Sequence, residues 1–310
     1  VVYESTTYPG CTEEVCVPIL EKYSNLKLNN DFYCGYSPER INPGDKERSL
    51  SNIKKIVSGS NKYSLNIISE IYKKIIKAGV IEAKNIESAE AAKILENIQR
   101  DVNIALMNEV SIIFNKLNLD TEEVIRLAST KWNFHNYSPG LVGGHCISVD
   151  PYYLIYKANK VGKKLKLIKS AREVSEKIPN FIYQQIKKKI GSKHFKKSLN
   201  ILILGFVFKK NSKYFRNSKV QKIIDIFSKK NNSKIDIYDN NLINFPSLPN
   251  EKTKFVKRLK NNFYDAIIIT DKHDFIYKIG LKKIINMKNK NGIIFDIKWA
   301  FKSHQTDLRL

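Results

Sequence analysis

The run Asn200-Ile-Leu-Ile-Leu-Gly205 is a short, unbroken apolar stretch that ends at a glycine. No alternation marks one side as wet, so both faces are covered, as in a central strand of a parallel sheet. Outward from it the pattern repeats. Residues 220–228 have helical spacing, 234–238 form a second strand leading to Asp239, and 264–270 and 292–297 are two more strands. Loops are expected around Asn231 and over 246–250. Strands alternating with helices build a doubly wound domain whose ligands lie at the carboxyl ends of the strands. Its expected limits are 196–310.

Upstream, residues 86–195 read as mostly helical. A long helix is expected over 88–117, where Leu95, Ile98, Val102, Leu106, Val110, Ile113 and Leu117 recur at steps of three and four. That spacing predicts a stripe facing the core. Ser88 suits the cap of this helix and Glu90 its first turn. Two more helices are expected over 121–129 and 174–190. Residues 1–85 read as the later part of another α/β domain, with strands over 1–5, 31–37, 53–58 and 79–83 and helices over 11–23 and 64–78. Its strand–helix alternation again predicts a parallel, helix-covered sheet. Strand 1–5 reads as one already under way, and the chain contains no Gly-x-Gly-x-x-Gly. The expected fold class is therefore α/β: two parallel-sheet domains, the first truncated, joined by a long central helix and a helical middle domain.

The chain has 310 residues and a net charge of +24. The charge is uneven: residues 186–310 hold 29 Lys+Arg against 9 Asp+Glu. A nucleic-acid surface would use arginine to read phosphates and bases, but only 8 of the 54 basic residues are Arg. Lysine rises together with Asn and Ile along the whole chain, a pattern of coding bias, so nucleic acid is not an expected partner. No apolar run approaches a membrane span, no signal-peptide pattern is seen, and membrane association is not expected. Cys11, Cys16, Cys34 and Cys146 lack metal-ligand spacing, so no metal site is expected and a reduced, cytoplasmic setting fits them.

Chemistry concentrates in Gly140-Leu-Val-Gly-Gly-His-Cys-Ile-Ser-Val-Asp-Pro-Tyr-Tyr153. Glycines allow close approach of backbone to ligand, and they precede a single thiol, Cys146. Asp150 follows four residues later, a carboxylate able to take a proton or orient water. His145 adjoins the thiol, although neighbours on a loop often point apart. On the long helix, Lys93 and Asn97 share one face and can donate to an oxyanion. Taken alone, the Lys93 and Asn97 pair is usually a solvated helical face, whereas the glycine-flanked Cys146 loop is the stronger sign of chemistry.

Five blocks in one order resemble the nucleotide-sugar 6-dehydrogenases, the family that oxidises UDP-glucose, GDP-mannose and UDP-N-acetylhexosamines to uronic acids. They are Glu4-Ser-Thr-Thr-Tyr-Pro-Gly-Cys-Thr-Glu-Glu14, Ser37-Pro-Glu-Arg-Ile-Asn-Pro-Gly-Asp-Lys46, the helix segment 89–109, the Cys146 loop, and Gly205-Phe-Val-Phe-Lys-Lys-Asn211 with Arg216-Asn-Ser218. Lys298, after Phe295-Asp-Ile, resembles the family's late basic residue. The resemblance implies Rossmann-like domains and NAD as cofactor. It implies catalytic roles for Cys146, Lys93, Asn97, Asp150, Glu39 and Thr6, with Thr6 also facing the nicotinamide. Substrate contacts are implied for Arg40, Asn42, Gly140, Gly143, Phe208, Lys209 and Lys298, and a cofactor contact for Arg216. A UDP-sugar substrate and a homodimer built on the central helix are the partners implied.

In this family a primary alcohol is oxidised twice at one carbon, with a thiohemiacetal and then a thioester on the cysteine. Several departures are visible. The glycine-rich first turn of the NAD domain is expected to be missing ahead of Val1, and a chain without it is expected to bind UDP-sugar yet form no NADH. Tyr214 stands where the family has Asp, Ser175 where Asn is frequent, and Trp299 where Gly is commoner. Val149 replaces a Lys of UDP-glucose enzymes, whose second Glu near Pro43 is also absent. Those last two differences favour a UDP-N-acetylhexosamine, GlcNAc or GalNAc, over UDP-glucose. A non-catalytic remnant that only binds UDP-sugar is the alternative outside enzymology.

Overall fold

The computed structural model describes residues 1–41, 49–191, 195, 198–207, 210, 215, 217–242, 247–248 and 250–310. The chain divides into two compact units, Val1–Arg100 with Val149–Lys169, and Asp101–Ser148 with Ser170–Leu310.

The first unit holds a four-stranded sheet ordered β1 (Val2–Tyr3), β2 (Gly35–Tyr36), β3 (Lys55–Gly59) and β4 (Val80–Glu82). β1–β2 and β3–β4 are parallel, but β2 and β3 run antiparallel, with Gly35 opposite Gly59. A wholly parallel sheet was the expectation here. The connection explains the difference: among its described residues, the chain between β2 and β3 holds only a short 3-10 turn, Leu50–Asn52. A parallel return requires a longer crossover, usually a helix. Helix α1 (Val17–Ser24) follows a π-helical turn, Thr12–Cys16. Helix α2 (Lys62–Lys73) starts at a reciprocal cap between Asn61 and Ser64. A small core joins Val17, Cys34, Tyr36, Ile86 and Ala89.

Helix α3 spans Ile86–Leu117. Its first turn is capped by Asn85, whose Oδ1 accepts from Ser88 N at 2.8 Å; Ser88 does not cap it. The expected core stripe faces outward. Leu95, Leu106, Ile113 and Leu117 are exposed, and of the seven only Ile98 is fully buried. The buried positions of this helix include Glu90, Lys93, Asn97, Asp101, Asn108 and Ser111. A buried polar face is tolerated only where each group finds a partner.

The second unit also holds α4 (Thr121–Ala128) and a six-stranded sheet, entirely parallel. In chain order its strands are β5 (Asn200–Leu204), β6 (Lys234–Tyr238), β7 (Thr253–Phe255), β8 (Tyr264–Ile269), β9 (Lys288–Asp296) and β10 (Leu308–Arg309). The spatial order is β7-β6-β5-β8-β9-β10. Order therefore reverses between β5 and β8, the switch point at which doubly wound sheets bind ligands. β5 is covered on both faces, as its unbroken apolar run predicts. Ile201 and Ile203 join one cluster with Ile223, Ile224 and Phe227 of helix α7 (Val220–Asn231). Leu202 and Leu204 join the other, with Phe275 and Ile276 of α8 (Asp274–Ile279) and Ile284 and Met287 of α9 (Leu281–Met287). Each such buried branched side chain contributes about 1.5–3 kcal/mol.

Helix α5 (Asp150–Lys160) begins at Asp150, within the cysteine-loop motif, and α6 covers Lys166–Ile190.

Candidate active site

In the first unit the chemistry gathers on α3. Glu90, Lys93 and Asn97 occupy positions i, i+3 and i+7 and share one face. Lys93 and Asn97 are only 7% and 6% exposed, so neither is a solvated surface residue. Asn97 Nδ2 donates to Asp150 Oδ2 at 2.6 Å, both groups being buried. Asp150 starts α5 with Pro151 behind it, a place where proline removes no helical hydrogen bond. Burial pushes the Asp150 carboxyl above its usual range; the Asn97 hydrogen bond and the Lys93 charge pull the other way without overcoming it. Such a carboxylate is a better proton acceptor than an exposed aspartate.

Glu90 plays a part that its sequence position conceals. It is fully buried, in the second turn of α3 and not the first. One oxygen accepts from Gly10 N at 2.5 Å, and the other from Thr12 N at 3.0 Å and Thr12 Oγ1 at 2.6 Å. Burial raises its pKa, and these three bonds oppose the rise.

Thr6 is half-buried beyond the carboxyl end of β1. Nearby in the sheet, Tyr36 is buried in register with Tyr3, and its hydroxyl has no hydrogen-bond partner among the described residues. Half-buried threonine hydroxyls at Thr6 and Thr7, with an orphan donor at the same end of the sheet, suit the polar nicotinamide end of a dinucleotide. The next helix start does not suit its pyrophosphate, because Glu90 already occupies the Gly10 and Thr12 amides.

Glu39 is exposed, and its Oε1 accepts from its neighbours Arg40 N and Ile41 N, both at 2.6 Å. Its Oε2 lies 3.6 Å from the buried Lys55 Nζ, which stands 3.0 Å from Glu4 Oε1. Tyr72 donates to that same Glu4 oxygen at 2.6 Å. Arg40 pairs with Glu96 at 2.6 Å and donates to Lys54 O.

In the second unit Cys146 and His145 are both exposed. Gly144, at φ +87°, anchors their loop: its N donates to Asn217 O at 3.3 Å, and its carbonyl accepts from Ser148 Oγ at 2.7 Å. Gly143 is half-buried. Gly140 and Lys298, read separately from sequence, meet here. A Cβ on Gly140 would come within 2.8 Å of Lys298 Nζ, so a side chain there would displace the lysine. Lys298 donates to Ser138 Oγ and Pro139 O, each at 2.9 Å, and burial lowers its pKa. Asn108 clamps Gly140 from the other side, donating to its carbonyl at 3.1 Å and accepting from its N at 2.8 Å. Beside Lys298, Trp299 takes φ +60°, the conformation that explains a glycine preference at this position. Its burial and the Nε1 bond to Leu310 O at 2.7 Å offset that strain.

At the carboxyl end of β5, Asp239 holds the turn after Gly205. Its Oδ2 accepts from Phe206 N at 2.7 Å and Val207 N at 3.1 Å, and its Oδ1 from Asn241 N. Thr270, at the end of β8, donates to the carbonyls of Leu204 and Gly205. A cavity of about 850 Å³ in this unit is lined in part by Ser138, Asp271, Lys272, Lys298 and Trp299. Deeper in, Arg172 Nε stands 3.1 Å from Asp101 Oδ2, both fully buried.

The sequence reading named Asn97, Asp150, Gly140 and Lys298, which meet in two pairs in the structure, and did not name the clamps Asn108, Asp239 and Glu90. Asn108 and Glu90 share one signal, a polar residue on the same helical face as Lys93 and Asn97. Asn42, Phe208, Lys209 and Arg216, together with Tyr214, lie outside the described residues. Among the described residues no helix is long and apolar enough to cross a membrane.

The chain is similar to known proteins along its whole length. Three models of the UDP-glucose/GDP-mannose dehydrogenase family match: the NAD binding domain over 1–76, the central domain over 87–177 and the UDP binding domain over 202–303. A UDP-N-acetyl-D-glucosamine 6-dehydrogenase of Salmonella typhi is 45% identical, over all of this chain and 73% of its own length. Its namesake in Pseudomonas aeruginosa is 41% identical, over all of this chain and 74% of its own. The solved structure of a UDP-D-ManNAc dehydrogenase from Pyrococcus horikoshii superposes with a TM-score of 0.84 at 29% identity, covering 98% of this chain and 69% of that one.

Proposed function

The chain belongs to the UDP-glucose/GDP-mannose dehydrogenase family and is an NAD-dependent nucleotide-sugar dehydrogenase, and we propose that it oxidises C6 of a UDP-N-acetylhexosamine to the uronic acid. The observation that carries this reading is the buried Asn97–Asp150 hydrogen bond with Lys93 on the same helical face. A raised carboxyl held by an amide, with an ammonium beside it, is what alcohol oxidation and oxyanion stabilisation need.

When bound, NAD supplies the hydride acceptor for both oxidations. Asp150 takes the alcohol proton, directly or through a water. Cys146 Sγ adds to the aldehyde carbon and gives a thiohemiacetal, whose oxidation leaves a thioester. Lys93 and Asn97 donate to the reacting oxygen. Thr6 and Glu39 orient the water that hydrolyses the thioester, releasing the acid and restoring the thiol. Arg40, Asn42, Gly140, Gly143 and Lys298 recognise the sugar and phosphates, Phe208 and Lys209 the uridine diphosphate, and Arg216 the cofactor. The domain limits proposed for these roles are 1–85, 86–195 and 196–310.

Among hexosamines, UDP-N-acetyl-D-glucosamine is the preferred assignment. Relatives named for it stand at 45 and 41% identity, while relatives named for the mannosamine epimer stand between 30 and 34%. A place in surface polysaccharide synthesis, with a homodimer in the cytoplasm as the working form, belongs to the same proposal; among the relatives is one named Protein CapL, from Staphylococcus aureus, 43% identical.

The test is to supply the protein with NAD and UDP-GlcNAc, UDP-GalNAc or UDP-glucose, and to follow NADH and uronate together. In a version that carries the glycine-rich turn of the NAD domain, two NADH per uronate are expected with UDP-GlcNAc. Cys146→Ser is expected to form no uronate, because an alkoxide is harder to generate and a poorer leaving group than a thiolate. Turnover of UDP-glucose alone, or full acid formation by Cys146→Ser, overturns the assignment.

A further inference from the structure

We propose that Glu90 is a positioning residue for the reaction, fixing the strand-end turn that carries Thr6 in register with the face of α3 that carries Lys93 and Asn97. The inference rests on the roles given above to those three residues.

A helix normally satisfies its first amides with a residue just ahead of it. Here the residue at that place, Cys11, makes no side-chain cap. The acceptor comes instead from a helix about eighty positions further along the chain. Both oxygens of Glu90 are used, and three donors converge on them from Gly10 and Thr12. Simple burial does not account for this geometry. A buried glutamate costs several kcal/mol unless it is fully bonded, so an apolar residue would serve packing alone better.

The link from this carboxylate to the chemistry is short on both sides. Thr6 lies four residues before Gly10, and Pro9 stiffens the path between them. Lys93 and Asn97 lie one and two turns beyond Glu90 on the same helix. Two more contacts close a triangle within the first unit. Asn97 ties α3 to α5 at Asp150, and Lys157 of α5 pairs with Glu14 of the π-helical turn. Gly10 is confined as well: at φ +88°, an added Cβ would lie 2.8 Å from Lys157 Nζ. The turn, α3 and α5 are thus joined pairwise, and Glu90 is the only one of these ties that reaches the Thr6 turn from α3.

The experiment compares wild type, Glu90→Gln and Thr12→Val. Glutamine keeps size and hydrophobicity but turns an NH2 toward one of the donors, whereas Thr12→Val removes a single donor. Three readouts are used: kcat and KM for the UDP-sugar, the isotope effect with a substrate deuterated at C6, and hydrogen exchange at the Gly10 and Thr12 amides. Glu90→Gln is expected to lower kcat on the order of 100-fold, the scale of an ångström-sized misplacement, with KM nearly unchanged. The isotope effect should grow as hydride transfer becomes limiting, and the two amides should lose protection. Thr12→Val should lose about tenfold in kcat. A merely structural role would lower the melting temperature while leaving kcat per folded molecule and the isotope effect as they are; that result, or protected amides in Glu90→Gln, overturns the proposal. If the wild type forms no NADH even with the glycine-rich turn of the NAD domain in place, the assigned reaction fails, and the amide exchange still decides whether the clamp exists.

Discussion

Asn97 Nδ2 lies 2.6 Å from Asp150 Oδ2, and the two side chains are buried on helices α3 and α5 of one compact unit. This bond stabilises the ionised carboxylate, and burial opposes it. Replacing Asn97 with Ala removes a stabilising contact and leaves the burial. The Asp150 pKa is therefore expected to rise further, so the base stays protonated to higher pH. The acid limb of the kcat/KM profile should move to higher pH, and the plateau should fall on the order of 100-fold, as for a lost oxyanion donor. A pH–rate series on the variant checks both effects; an unmoved limb would separate Asn97 from Asp150.

Asp239 has spent its carboxylate on the turn after β5, accepting from Phe206 N, Val207 N and Asn241 N. In a dinucleotide-binding sheet the acid that ends the second strand reads a ribose instead. Asp239→Ala should release the turn that leads into Phe208 and Lys209. UDP affinity, measured by calorimetry, is expected to fall about tenfold or more, the loss of charge-assisted bonds to buried amides. NAD affinity should be unaffected, since the NAD binding domain matches over 1–76. Equal UDP affinity in wild type and variant would leave the clamp without a part in nucleotide binding.

Much of the architecture was legible because the relevant forces are local. Asn200–Gly205 could only be a strand covered on both faces, and the structure gives it neighbours and helices on both. The α3 stripe misled for a physical reason. Periodic Leu and Ile residues marked a helix correctly, but they could not say which face lies inward. That was decided by distant partners of polar residues: Gly10 for Glu90, Asp150 for Asn97, Gly140 for Asn108. The antiparallel β2–β3 pair depended on a connection with too little helix for a crossover, and two-residue strands carry no period to read. Helix α5 did announce itself, with Asp150-Pro151 at its start, and was overlooked beside the cysteine motif. In the site, Gly140 and Lys298 came from separate blocks and meet in the fold.

Asp101 faces Arg172 in the interior, yet burial outweighs that attraction and raises its pKa to about 6. The unfolded value is about 4. A raised folded pKa means that the native state binds more protons between those values. The contribution is therefore full below about pH 4 and lost as pH rises through about 6. Asp101→Asn cannot titrate, so it should gain on the wild type as pH rises from 4 to 7. Melting temperatures of both proteins across that range measure the difference. A constant gap would show that Asp101 does not change protonation there.

Leu95, Leu106, Ile113 and Leu117 lie along the outer face of α3, between 46% and 60% exposed. Four large apolar side chains fall along one side of this helix, and a monomer would leave them in water. Covering such a side chain fully is worth about 1.5–3 kcal/mol, and a two-fold contact counts each residue twice. A second copy of the chain packed along α3 is therefore the expected occupant. Lysine at Leu106 and at Ile113 would place four ammonium groups across that contact, while both positions lie away from the buried Lys93–Asn97 face. Wild-type protein should sediment as a dimer at micromolar concentration and the double variant as a monomer with its secondary structure kept. A wild-type monomer, or a variant that still pairs, would move the interface off this helix.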